Sequence, residues 1–175
     1  MNVLFSSLRG ASGADAPRIF SDPETKWVRA AQRGDTRAFN QLIVRHQERA
    51  YRIAYHLLQD AHAAANITQS VITYAQHAIH ELDNEAFGTW LLRLLMQRCA
   101  AFLQLYPAPA PAHSTVESAL ATLPLPERVM LVLADMERLA TRDIAQILQT
   151  DAATVRAQIH RARCALRDVL TPAYA

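Results

Sequence analysis

From Tyr106 to Ala112 the chain alternates Pro107, Pro109 and Pro111 with alanine, and no helix or sheet can run through such a stretch. Each proline fixes φ and removes an amide donor, so the segment favours extended polyproline geometry, about 3.1 Å per residue. Folding must therefore happen on either side of it. Residues 106–113 read as a linker between a first unit, 22–105, and a second, 114–172. Residues 1–21 hold Ser, Gly, Ala and Pro with no apolar period, and read as a flexible tail.

Both units carry helical spacing. Asp22-Pro23 is a helix start, with proline at the first helical position, and Gly34 stops that helix. Asp35 caps the next, in which Phe39, Leu42, Ile43, His46, Ala50, Ile53, Ala54 and Leu57 recur at three- and four-residue steps. Asp60 caps a third, carrying Ile67, Val71, Tyr74 and Ala78. The polar stretch His80 to Glu85 breaks the pattern before a fourth helix with Phe87, Trp90, Leu91, Leu94, Leu95, Cys99 and Phe102 on its apolar face.

Beyond the prolines, Ser114 and Glu117 have capping-box spacing for a short helix to about Thr122. Pro124 and Pro126 then open a helix with Val129, Val132, Leu133 and Met136 inward. Thr141 is placed as the cap of a short helix with Ile144, Ala145 and Leu148 inward. Gln149 and Thr150 make a tight turn. Asp151 caps a last helix whose apolar stripe is Val155, Ile159, Ala162, Leu166 and Val169. The fold class implied is all-α: two small helical domains, the second a helix-turn-helix.

Half of the residues are hydrophobic, at 51%, which supplies real cores. With only four glycines there is no phosphate-cradling loop. Cys99 and Cys164 read as reduced, packed cysteines rather than a disulfide framework. The greasiest segment, Trp90 to Leu105, carries Arg93 and Arg98 and is too short to span a bilayer, so no membrane insertion and a cytoplasmic location are expected. His77 and His80 share a helix face, but without acids or cysteines at ligand spacing no metal or other cofactor is expected. No nucleophile-base or paired-carboxylate arrangement points to an enzyme.

The net charge of +2 is uninformative until it is divided. Between Ala152 and Arg167 stand four arginines and no acid, a basic helix on an otherwise neutral unit. In a helix-turn-helix the first short helix braces the second, which presents its N-terminal side chains to the major groove. Thr154, Arg156, Ala157, His160 and Arg161 lie off the apolar stripe and suit that task. Arginine reads guanine bidentately or clamps phosphate, and Thr and Ala meet a thymine methyl. Taken alone, Arg156, Arg163 and Arg167 also fit the solvated face of an ordinary bundle helix; the short helix and turn before them favour DNA.

Leu120-x-x-Leu123-Pro124, Arg128, Ile144-Ala145-x-x-Leu148, Thr154-Val155-Arg156 and Arg161-Ala162-Arg163-x-x-Leu166-Arg167 resemble region 4 of RNA polymerase sigma factors, closest to the extracytoplasmic-function type. Asp35-x-x-Ala38-Phe39, Ile67-Thr68-Gln69 and Phe87-x-x-Trp90-Leu91-x-Arg93 resemble region 2 of the same family. The resemblance implies a sigma factor that directs core RNA polymerase to promoter DNA and initiates transcription, with an anti-sigma factor as a further candidate partner. It assigns polymerase docking to Ile67, Thr68, Gln69 and Val71, and capture of an unpaired promoter base to residues 77–88. Trp90, Arg93 and Gln97 would face one promoter element, and Thr154 to Arg161 the more distant one. Amphipathic spacing alone makes Trp90 a core aromatic.

Region 2 departs from the family pattern. Asn66 and Ser70 stand where acids are usual, and Gln97, Ala101 and Gln104 replace an Asn, Asp and Arg series. Two other readings stay open for that reason: a sigma-derived DNA-binding regulator, and a protein-interaction bundle without productive DNA contact.

Overall fold

A computed structural model describes residues 22–83, 85–106 and 116–170. The tail 1–21, the linker from Pro107 to His113, Ser114 of the expected capping box and one residue of the 77–88 stretch lie outside these. Among the described residues the elements are helices α1 (Asp22–Gln32), α2 (Thr36–Leu58), α3 (Ala61–Ala78), α4 (Phe87–Leu105), α5 (Val116–Thr122), α6 (Leu125–Leu131), α7 (Thr141–Leu148) and α8 (Ala152–Leu170).

The helix ends follow local chemistry. Gly34 adopts φ +91, a left-handed geometry that turns the chain out of α1. Asp35 accepts the amides of Arg37 and Ala38, and Asp60 those of His62 and Ala63, so each caps its helix as its sequence position indicates. Thr141 does not cap α7. It is the first helical residue, and the cap position belongs to Ala140, which makes no side-chain bond. The polar stretch after α3 contains a single 3-10 turn, Ile79–Glu81, and a buried Leu82. Gln32 ties that loop to α1 by donating to the carbonyls of Ile79 and Leu82 at 3.2 and 2.8 Å.

The α1–α4 group centres on α2, which packs against α1, α3 and α4. Phe87 is fully buried at its middle, edge-on to Phe39 and against His46 and Trp90. In the second group α5, α6 and α7 all pack on α8. The two groups touch: α7 packs on α4, and α2 meets α5, α6 and the turn after α6, so one apolar cluster runs through both.

That turn changes the register. After α6 the chain makes a π-helical turn, Val132–Met136, in which the Glu137 amide donates to the Val132 carbonyl five residues back, at 2.9 Å. One extra residue in the turn rotates the chain beyond it. Met136, whose spacing places it inward, is 40% exposed, and Glu137 is buried instead. Arg138 then takes φ +52, and the Leu139 amide closes the end on the Leu133 carbonyl at 3.0 Å. Two smaller differences occur further on. Ile147 is fully buried while Leu148 is only half-buried, and Val169 runs past the core into solvent.

Candidate nucleic-acid interface

The short helix α7 buries Ile144 and Ile147 and ends at Gln149, whose left-handed φ of 52 reverses the chain. The Thr150 amide donates to the Ala145 carbonyl at 2.9 Å, which fixes the turn. Asp151 then caps α8 twice. Its carboxylate accepts the Thr154 amide at 2.8 Å and the Thr154 hydroxyl at 2.6 Å. Those bonds, the hydroxyl first, hold the Asp151 carboxyl below its ordinary range. The capped N-terminus carries the positive end of the helix dipole and suits a phosphate.

Helix α8 divides cleanly. Val155, Ile159 and Ala162 are buried, while Arg156, Ala157, His160 and Arg161 are exposed on its outer side. Arg156 and Arg161 make no ion pair with any described residue. The other arginines of the helix are engaged. Arg163 binds Asp135 of the π-helical turn through Nε at 3.1 Å, and Arg167 lies 3.8 Å from Asp168. The hydroxyl proton of Thr154 is committed to Asp151, which leaves its methyl and lone pairs for a base edge.

The first group places its candidates differently. Trp90 is 5% exposed and packs on Phe87, so it is a core aromatic that cannot reach DNA in this conformation. Arg93 is half-buried and paired with Glu85, with Nη1 to Oε2 at 2.9 Å. Gln97 is exposed. On α3, Gln69 is exposed and Ile67 half-buried, whereas Thr68 and Val71 face inward, at 6% and 1% exposure. Spacing alone anticipated this for Val71 and Trp90, but it also placed Ile67 and Tyr74 on the α3 stripe, where Ile67 is half-buried, Tyr74 is 40% exposed and Thr68 lies inward instead.

The pairing of Tyr74 with the Arg98 guanidinium, 5.6 Å above its ring, is absent from the sequence reading, which placed Tyr74 on the apolar stripe. The residues lie on different helices, and nothing local links them. Among the described residues no group of three metal-binding side chains converges. His77 Nδ1 is within 2.8 Å of the Thr73 carbonyl on its own helix.

These features define a class: an all-helical protein with a helix-turn-helix whose outer face is cationic. The family follows from comparison. The model for Sigma-70 region 2 matches residues 42–104 and that for Sigma-70, region 4 matches residues 113–166, in that order along the chain. The chain belongs to the sigma-70 family and is a sigma factor of the extracytoplasmic-function type.

RNA polymerase sigma-H factor of Pseudomonas aeruginosa is 27% identical, over 88% of this chain and 97% of that protein. The ECF RNA polymerase sigma factor SigE of Mycolicibacterium smegmatis is 28% identical, over 76% of this chain and 62% of that one. The solved structure of CnrH, in complex with the cytosolic domain of CnrY, superposes with a TM-score of 0.71 at 25% identity. It covers 85% of this chain and 97% of that one. No described helix is long and apolar enough to cross a membrane.

Proposed function

We propose that this sigma factor directs core RNA polymerase to promoters by reading duplex DNA with Arg156, Ala157, His160 and Arg161, helped by Thr154. The observation that carries the assignment is the exposed outer face of α8, whose Arg156 and Arg161 project from a capped helix without an ion pair to any described residue. Arg163 and Arg167, with carboxylates beside them, add phosphate attraction at most. Promoter contact by the first group falls to Gln97, and to Arg93 once it leaves Glu85. Trp90 acts by packing beneath them.

Polymerase docking falls to Gln69 and the outer edge of Ile67, with Thr68 and Val71 setting the helix from within. We also propose that 22–105 and 114–172 act as two domains joined by the linker 106–113. The protein works in the cytoplasm and is not an enzyme. The complex of CnrH with the cytosolic domain of CnrY supports a protein partner for this chain as well, and we propose an anti-sigma factor in that place.

A Gln69→Ala and Ile67→Glu double variant should lose most pull-down of core RNA polymerase while keeping its helical circular dichroism. Wild-type protein with core polymerase should give run-off transcripts from promoters recovered by genomic binding. Wild-type protein that never binds core polymerase overturns this reading and leaves the DNA-binding regulator. The exposed, uncharged Asn66 and Ser70 beside Gln69 are what favour that second reading.

A further inference from the structure

The junction between the two helical groups is polar at its edge. Glu137 follows the π-helical turn, and its side chain is only 4% exposed. Two arginines of α2, 85 and 88 residues earlier in the chain, converge on it. Arg52 donates through Nε to Oε1 and through Nη2 to Oε2, both at 3.0 Å, the two-pronged geometry that fits a guanidinium to a carboxylate. Arg49 Nε stands 3.3 Å from Oε2. The hydrogen bond and charge of Glu137 hold the Arg52 guanidinium above its ordinary pKa.

A second tie runs through Arg128, buried at 6% exposure. Its Nη1 donates to the carbonyl of Leu57 near the end of α2 at 2.9 Å, while Nη2 binds the carbonyls of Ala121 and Leu123 in its own group. With α7 packed on α4, these contacts hold the two DNA-facing helices, α4 and α8, in one compact body.

We propose that this packing is a latched resting state, clasped by Glu137 between Arg49 and Arg52, which opens before the two groups engage separate stretches of one duplex. The need to open rests on the function proposed above; the latch itself does not. Arg128 is unsuited to release, because it is buried and serves its own group as well. Glu137 is suited to it. Arg49 and Arg52 are 37% and 44% exposed, so salt and polyanions reach them, and a phosphate backbone competes for the same guanidinium groups.

The test uses the full chain, in a Cys164→Ser background, with labels at Asn66→Cys and Ala153→Cys, both exposed positions on opposite sides of the junction. Cys99 stays unlabelled because burial pushes its thiol pKa up to about 12. At low salt, electron-electron resonance should give one narrow separation. Glu137→Gln, and independently the surface change Arg52→Gln, should raise the population at longer separations by about tenfold, the scale of one lost charge-assisted pair. Salt at about 1 M should shift the wild type the same way.

Both variants should then form the polymerase-promoter complex faster than wild type. A broad wild-type distribution at low salt, or unchanged separations in both variants with intact helicity, overturns the latch. Opened variants with an unchanged rate of complex formation overturn its role as a gate. Absence of any complex with core polymerase sinks the sigma reading alone, since the separations are measured on the protein by itself.

Discussion

Helix α8 and helix α2 both display arginines, and they use them in opposite ways. On the outer side of α8, Arg156 and Arg161 face solvent without an acid among the described residues. On the junction side of α2, Arg49 and Arg52 are drawn onto the buried carboxylate of Glu137. A charge census treats these cations as equal. Their surroundings do not: an unpaired guanidinium on a rigid helix can gain a phosphate or a guanine at little cost, whereas a paired one must first give up its partner. The number of acids within reach therefore says more about DNA contact than the number of bases.

The same contrast can be broken by substitution, most severely in the core of the first group. Trp90→Ala should cost about 3–5 kcal/mol of folding free energy in urea titration, because it opens a cavity beside Phe87. A loss under 1 kcal/mol (roughly the surface range) would mean that Trp90 is held outward in solution and can serve DNA. Arg128→Ala should follow at about 2–4 kcal/mol, since the carbonyls of Leu57, Ala121 and Leu123 lose their donor. Arg128→Lys should recover only part of that, because an ammonium cannot reproduce the planar fork.

On α8 the effect should move from stability to recognition. Arg156→Ala or Arg161→Ala should leave the melting temperature nearly unchanged but cost about 1–3 kcal/mol of discrimination in selections from random DNA. Arg167→Ala should weaken all sequences alike. Unchanged affinity and preference in both of the first two variants would remove α8 as the reader.

The smallest effect belongs to the cap. The Asp151 carboxyl sits below its ordinary value of 3.8 in the folded chain, so its contribution is present above that pH and is lost as pH falls through the lowered value. Asp151→Asn keeps a capping oxygen and removes this dependence. The two proteins should differ in melting temperature near neutral pH and converge as the pH falls through that lowered value.

Much of this was legible in the residues. Asp35, Asp60 and Asp151 announce their helices because capping is a local interaction between a side chain and amides two or three positions on. The helix-turn-helix is likewise short-range, and its apolar and cationic faces separate on spacing alone. The pairings of Arg163 with Asp135 and of Arg52 with Glu137 join residues 28 and 85 positions apart, and no periodicity encodes them. Motif resemblance marked Thr68, Val71 and Trp90 without separating touching from supporting roles. A helix in a small bundle keeps its core residues interleaved with its working ones.

The π-helical turn at Val132–Met136 makes the chain sensitive to length as well as to identity. Inserting a second alanine after Ala134 would add one residue more than the π-helical turn absorbs and turn everything after it by about 100°. Met136 would swing toward the core, Glu137 away from α2, and Asp135 away from Arg163, although every side chain named in these contacts would still be present. Along this segment homologous chains should therefore tolerate many letters but few insertions, so that alignment length rather than residue match carries the inheritable signal.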